Sequence, residues 1–253
     1  MSVRIGVTLF PGSNRDIDAV NALRIAGAEP VVLWHEDADL QAVAGVLVPV
    51  GFAYGDYLRA GVIARFSPIM RAVAAFADEG GPVLGVCNGF QVLTEAHLLP
   101  GALLRNRGLR FVSRPVAIAA ERTDTRFTHL LGDRRPLRMP VAHGEGAYFA
   151  EDAVLDELEA TGRVLFRYVD PDTGDRAGDE DDRANPNGSL RAIAGVMNAA
   201  GNVAGLMPHP ETAVEAVLGS DDGLGIIASF VASAAERERT GAVRPALVGA
   251  TGR

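Results

Sequence analysis

Short apolar runs alternate with helically spaced apolar positions through the first half of the chain. Four runs have the length and the β-branched content of buried strands: 5–10, 30–34, 45–48 and 83–86. Two segments between them place apolar side chains at helical spacing and are followed by glycine, a common helix stop: 16–26 and 68–79. This alternation predicts an α/β fold, a mostly parallel open sheet with helices on both faces.

The second half of the chain has a different pattern. Residues 109–120, 137–142 and 163–169 have the pattern of strands with few helices between them, which predicts an antiparallel extension of the sheet. Strand patterns resume at 192–196 and 203–206, and a final helix is predicted over 224–235. No linker divides the chain, so we expect one domain over residues 1–235. We expect the tail, 236–253, to be disordered because its periodicity is weak.

Composition narrows the classes of function. The 253 residues carry 24 basic and 32 acidic side chains, and a net charge of -8 disfavours a nucleic-acid partner. The single cysteine excludes an internal disulfide and fits a reducing compartment. Neither a leader pattern nor a run of membrane-spanning length is present, so we expect a soluble, cytoplasmic protein. Residues 170–187 are polar and acidic, which predicts a solvated loop.

The only cysteine lies where a predicted strand meets a predicted helix. The apolar run 82–86 leads directly into Cys87, and Asn88 and Gly89 lead into a helix over 90–96. This Gly-x-Cys-x-Gly pattern is the thiol counterpart of the nucleophile elbow, where glycines permit a sharp turn and the helix N-terminus favours the thiolate. The alternative is a buried structural cysteine. The flanking glycines, strand and helix favour a nucleophile at the edge of the sheet where ligands bind.

A second group of candidate residues surrounds His209. Pro208 and Pro210 keep this histidine out of any helix, and Glu211 follows on the same side of an extended chain. Glu211 can hydrogen-bond the far ring nitrogen, so that His209 takes the thiol proton and later protonates a leaving amine. The alternative is a loop histidine beside a solvated carboxylate.

Six segments together resemble class I glutamine amidotransferases, which have a flavodoxin-like fold. They follow the family order and leave only the tail outside: 10–14, 51–61, 85–91, 143–146, 185–189 and 205–211. The cysteine segment and His-Pro-Glu are typical of the whole family. Tyr-Gly-Asp-Tyr-Leu-Arg, Cys-Asn-Gly-Phe-Gln and His-Gly-Glu-Gly are typical of its members in purine biosynthesis.

The resemblance implies a glutaminase subunit with Cys87, His209 and Glu211 as its triad. It implies backbone oxyanion donors at Gly51 and Asn88, and contacts to substrate L-glutamine from four residues: Gln91, Gly144, Glu145 and Gly146. Ammonia would pass to a separate synthetase subunit that uses ATP and Mg²⁺ to convert formylglycinamide ribonucleotide to its amidine. A third, small subunit would bridge the two. This chain has no Gly-x-x-x-x-Gly-Lys-Ser/Thr phosphate loop, which is consistent with ATP being handled by the synthetase subunit. We expect no cofactor and no metal in this chain.

One position departs from the family pattern. Val50 stands where the family usually has glycine, beside the expected oxyanion donor Gly51. A valine would be strained there if the position required a positive φ. The departure raises the alternative of a catalytically weak scaffold that mainly binds the synthetase. A stand-alone cysteine hydrolase of the same superfold is a further alternative, because fold does not determine function.

Overall fold

The computed structural model describes residues 2–132 and 136–241. Eleven strands occur in this part of the chain: β1 Arg4–Leu9, β2 Glu29–Trp34, β3 Gly45–Val48, β4 Val83–Val86, β5 Ala102–Leu104, β6 Val112–Ala120, β7 Leu137–His143, β8 Ala147–Phe149, β9 Val164–Tyr168, β10 Ile193–Met197 and β11 Val203–Leu206. Five α-helices accompany them: α1 Asp16–Ile25, α2 Pro68–Asp78, α3 Asn88–Glu95, α4 Asp152–Ala160 and α5 Leu224–Thr240. Short 3₁₀ turns fill several of the connections.

Nine of these strands form one sheet in the order β2-β1-β3-β4-β11-β10-β9-β6-β7. The first five are parallel neighbours, and every later pair is antiparallel. All residues of β3 and of β4 are buried, which requires cover on both faces of the sheet. The predicted α/β fold with a mostly parallel sheet and an antiparallel extension is confirmed.

Helices α3 and α5 pack closely against the buried parallel strands. Phe230 and Ala234 of α5 lie where a side chain at Gly45 of β3 would point. On α3, a Cβ at Gly89 would come within 1.9 Å of the carbonyl oxygen of Val48. Helices pack this closely onto apolar strands because the exclusion of apolar surface from water drives the contact.

Two helical features differ from the predictions. Helix α4 was not predicted, because its sequence is rich in acidic residues and only Leu155 and Leu158 are buried. The final helix continues past 235 to Thr240 and stops at Gly241 in the left-handed conformation. The prediction of a tail from 236 is therefore wrong for its first residues. The remainder, 242–253, lies outside the described residues.

Residues 170–187 form a connection without regular helix or strand, as predicted, but only its first part is solvated. There Arg183 pairs with Asp170 at 3.2 Å and also with Asp172. Asn185 and Asn187 are fully buried instead, and Nδ2 of Asn187 donates to the hydroxyl of Tyr168 at 3.0 Å. A wholly solvated loop is the wrong description, because amide side chains with internal partners can be buried.

In the described ranges, no helix is both long and apolar enough to cross a membrane.

Candidate active site

Cys87 occupies a strained turn between β4 and α3. Its φ and ψ are 50° and −104°, a rare combination for a residue with a side chain. A Cβ at Gly85 would lie 2.8 Å from the backbone of Gly89, and a Cβ at Gly89 would lie 1.9 Å from the carbonyl oxygen of Val48, so the elbow closes only with glycine at both positions. The local geometry thus has the predicted form of a nucleophile elbow.

The side chain of Cys87 is 4% exposed and lies at the edge of a pocket. Its Sγ lies 3.8 Å from the carbonyl oxygen of Ala142, and its own N–H donates to Leu206 at 2.8 Å. The N-terminus of α3 begins at the next residue, so the helix dipole favours negative charge on the sulfur.

His209 and Glu211 form a buried pair two residues apart. Nδ1 of His209 lies 2.9 Å from Oε1 of Glu211, and the two side chains are each 1% exposed. The segment follows β11, which pairs in parallel with β4 up to Val86 and Leu206. Because neighbouring parallel strands end at the same edge of a sheet, this pairing brings Cys87 and His209 to one place. Nε2 of His209 has no hydrogen-bond partner among the described residues.

Charge around His209 determines its protonation. Burial lowers the pKa of His209, but the negative charges of Glu211 and Cys87 outweigh burial and raise that pKa to about 10. The ring is therefore protonated at neutral pH. A cationic imidazole held between a carboxylate and a sulfur can stabilise a thiolate and donate a proton from its second nitrogen.

Two backbone N–H groups lie beside Cys87. Gly51 lines the pocket, and Asn88 directly follows the cysteine. Neither N–H donates a hydrogen bond to any residue in the described part of the chain, so both remain available to an oxyanion. A Cβ at Gly51 would lie 2.7 Å from Cα of Ser13, so the loop after β1 requires glycine there.

The substitution at position 50 causes no backbone strain. Val50 is outside the group of residues with positive φ, and its side chain is 4% exposed within the core. Its carbonyl oxygen accepts N–H groups of Asn14 and Arg15, each at 3.4 Å. The condition under which valine would be strained is therefore not met.

The opposite wall of the pocket comes from the turn between β7 and β8. Gln91, Gly144 and Glu145 line the pocket. The carboxamide of Gln91 holds this wall in place: its Nε2 donates to the backbone oxygen of Glu145 at 2.5 Å, and its Oε1 accepts from Asn88 at 2.9 Å. Gly146 lies behind the wall, because its N–H donates to Asn106 at 3.0 Å and it does not line the pocket.

Two buried residues support this wall from inside the protein. His143 belongs to the His-Gly-Glu-Gly segment but had no assigned role, and Asn106 lies in none of the six family segments. Oδ1 of Asn106 accepts both the Gly146 N–H and Nδ1 of His143, at 3.0 and 3.1 Å. Burial, and secondarily the charge on His209, lowers the pKa of His143 to about 3, so the ring is neutral. The sequence signal was weak, because an isolated asparagine 37 residues from a histidine shows no spacing pattern.

Asp56 is a further pocket residue without an assigned role in the sequence analysis. Burial and the charge of Glu145 raise its pKa to about 6, and a hydrogen bond from Asn88 opposes that rise. The pocket has a volume of about 150 Å³, which suits a small metabolite and not a polymer. No group of three or more potential metal ligands occurs within 2–132 and 136–241.

Comparison with known proteins agrees with this geometry. Residues 2–221 match the CobB/CobQ-like glutamine amidotransferase domain, which defines the class of the chain. Two relatives named phosphoribosylformylglycinamidine synthase subunit PurQ, from Rubrobacter xylanophilus and Nocardia farcinica, are each 56% identical over 232 residues. The alignments cover 92% and 91% of this chain, and 99% and 97% of the relatives. The chain therefore belongs to the CobB/CobQ-like glutamine amidotransferases and, within them, to the PurQ family.

Solved structures agree with the sequence relatives. A chain in the structure of PurLQS from Thermotoga maritima superposes with a TM-score of 0.79 at 40% identity, covering 92% of this chain and 99% of that one. A protein proposed to be a GMP synthase subunit, from Thermoplasma acidophilum, has a TM-score of 0.59 at 14% identity, covering 95% and 98%. At that identity the second likeness shows the fold alone.

Proposed function

We propose that this chain is the glutaminase subunit of phosphoribosylformylglycinamidine synthase, hydrolysing glutamine to glutamate and ammonia for purine biosynthesis. The observation that carries the proposal is the meeting of the Cys87 elbow with the buried His209–Glu211 pair. Membership of the PurQ family supports the particular reaction. The enzyme class is a glutamine amidotransferase.

In the first half of the reaction, Cys87 is the nucleophile. Its thiolate attacks the side-chain amide carbon of glutamine, and the N–H groups of Gly51 and Asn88 stabilise the oxyanion that forms. Protonated His209 donates its Nε2 proton to the amide nitrogen as the carbon–nitrogen bond breaks. Ammonia leaves, and a glutamyl thioester remains on the sulfur. The raised pKa of His209 supports its role as the acid in this step.

In the second half, water cleaves the thioester. Neutral His209 takes a proton from water as the oxygen attacks the acyl carbon, and the same two N–H groups stabilise the second oxyanion. Its collapse releases glutamate and restores the thiolate and the imidazolium. Glu211 orients the ring of His209 and stabilises its charge, since its Oε1 lies 2.9 Å from Nδ1.

The substrate is contacted by the wall of the pocket that includes the turn between β7 and β8. Gln91, Gly144 and Glu145 bind glutamine, whereas Gly146 acts indirectly by shaping the turn through Asn106. The pocket's small volume and open edge support a single amino acid as substrate.

The ammonia is used by partners. A synthetase subunit consumes it with ATP and Mg²⁺ to convert formylglycinamide ribonucleotide to its amidine, and a small third subunit bridges the complex. The relatives are named as subunits, and the Thermotoga maritima structure is of PurLQS, which supports a multi-subunit assembly. This chain itself uses no cofactor or metal, and it works in the cytoplasm.

The two alternatives lose support. The weak-scaffold hypothesis depended on strain at Val50, and Val50 has no positive φ. A stand-alone hydrolase gives no reason for 56% identity to synthase subunits over almost their whole length.

Mass spectrometry of the assembled complex tests the proposal. The complex is treated with a chloroketone analogue of glutamine, with and without excess glutamine. We expect one adduct, on Cys87, that glutamine prevents, and we expect no adduct on a Cys87→Ser variant. An adduct on another residue, or labelling that glutamine leaves unchanged, would contradict the proposed nucleophile and substrate.

A further inference from the structure

Two carboxylates from different loops line the pocket that contains Cys87. Asp56 belongs to the turn after β3, and Glu145 to the turn between β7 and β8. They are close enough for the charge of Glu145 to raise the pKa of Asp56. Two like charges at one small cavity are costly unless a cation compensates them.

The two charges are compensated unequally within the protein. Oε2 of Glu145 accepts the N–H of Ala60 at 3.3 Å, and its Oε1 lies 3.7 Å from the guanidinium of Arg105. Oδ1 of Asp56 accepts only from Nδ2 of Asn88, at 3.3 Å, and forms no ion pair with any described residue. Asp56 is thus the carboxylate that lacks a cation.

The backbone that presents Asp56 is strained and firmly held. Tyr54, Asp56 and Leu58 all have positive φ, at 56°, 52° and 69°. The hydroxyl of Tyr54 hydrogen-bonds Nδ1 of His35 at 2.7 Å and Oγ of Ser67 at 3.0 Å, which anchors the turn. Backbone strain of this kind persists where the surrounding structure imposes it, often at ligand sites.

Asn88 links this carboxylate to the reaction centre. Its backbone N–H is one of the open donors beside Cys87, while its side chain contacts Asp56 and accepts the N–H of Ala53 at 3.0 Å. Asn88 therefore fixes the position of a group bound at Asp56 relative to the sulfur of Cys87.

We propose that Asp56, with Glu145 in support, binds the α-ammonium of the free amino-acid substrate and so selects glutamine over amides that lack this charge. The inference rests on the proposed function, and it adds the group that recognises the far end of the substrate. Bound ammonium supplies the missing cation between the two carboxylates. Asp56 must be ionised to do so.

The test compares two amides in the assembled complex. Glutaramic acid is glutamine without the α-amino group, so it retains the reacting amide and the carboxylate. Release of ammonia from each amide is measured for the wild type, for Asp56→Asn and for Asp78→Asn, an exposed control at the end of α2. Synthesis driven by added ammonium is measured in parallel, because it reports the activity of the synthetase subunit independently of the glutaminase pocket.

For Asp56→Asn we expect kcat/KM for glutamine to fall by about tenfold to a hundredfold, mainly through a higher KM. This is the loss of affinity expected when a hydrogen bond to a charged group is removed. Activity on glutaramic acid should change by less than about threefold, so discrimination between the two amides is lost. Glu145→Gln should reduce discrimination by a smaller factor, because Glu145 already has protein partners. Equal loss on both amides, or no loss on either, would overturn the inference.

The pH dependence supplies a second readout. The titratable groups that share the pocket with Asp56 are Glu145, Cys87 and His143. Because Asp56 protonates as the pH falls through about 6, the wild-type KM for glutamine should rise below that pH. In Asp56→Asn it should stay flat, and the same rise in the variant would contradict the inference. If the wild-type complex uses ammonium but never glutamine, the proposed function fails instead, so the two failures are distinguishable.

Discussion

The two walls of the pocket are built in different ways. On one wall, Cys87 lines the pocket directly after β4, and the buried His209 follows the adjacent strand β11, so sheet hydrogen bonds bring the two residues together. On the other, Asp56 and Glu145 project from loops that side chains such as Gln91 tie together. The reacting groups therefore depend on the rigid sheet, whereas the groups that recognise the substrate depend on a few side-chain hydrogen bonds.

Removing the nucleophile should have the largest effect. In Cys87→Ala we expect glutamine-dependent synthesis to fall by ~10⁴-fold or more, because the covalent path is lost. Synthesis from added ammonium should persist at the wild-type rate, as measured by product formation in the assembled complex. Loss of both activities would mean that Cys87 supports the structure and not the chemistry.

Glu211→Gln tests how the carboxylate of Glu211 supports His209. The variant keeps the shape but loses the charge that stabilises protonated His209, so kcat should fall by ~10²- to 10⁴-fold with little change in KM. Stopped-flow or coupled assays of glutamine hydrolysis measure it. A rise in KM at constant kcat would place Glu211 in substrate binding instead.

The same variant should change the pH dependence of stability. The pKa of His209 is raised from 6.5 to about 10, so the protonated ring contributes stability fully below about pH 6.5, and this contribution is lost as the pH rises toward 10. The difference in Tm between wild type and Glu211→Gln should therefore be largest near pH 6 and shrink toward pH 10. A difference that grows with pH would contradict the assignment of charge.

Gln91→Ala tests how the turn between β7 and β8 is held in place. It removes the 2.5 Å hydrogen bond to the backbone of Glu145, so KM for glutamine should rise by about tenfold while kcat changes less. Gln41→Ala, at an exposed position outside the pocket, is the control. Steady-state kinetics would exclude a role in holding the wall if kcat fell and KM stayed constant.

Val50→Gly should have the smallest effect on activity. Because Val50 has no positive φ, kcat should stay within about threefold of wild type. Loss of a buried side chain and added chain entropy should cost about 2 kcal/mol, which lowers Tm by roughly 4–8 °C. A large gain in kcat would revive the idea that valine impairs the oxyanion donors.

Prediction from sequence succeeded where local pattern and tertiary structure agree. The strands at 45–48 and 83–86 are apolar throughout and are buried on both faces, so their pattern and environment match. Helix α4 could not be predicted from the apolar pattern, because its apolar face is narrow. The polar pattern predicts that Asn185 and Asn187 are solvated, but both are buried, because polarity alone does not reveal internal hydrogen-bond partners.

The strand positions, the elbow at Cys87 and the candidate pair His209 and Glu211 could be read from the sequence, because each depends on residues close together in the chain. Which side chains face the pocket depends on the tertiary structure. Asp56 and Glu145 are 89 positions apart, and their encounter depends on how two loops fold over the edge of the sheet. The strain-free backbone at Val50 is likewise a property of packing, since a dihedral angle cannot be read from residue identity alone.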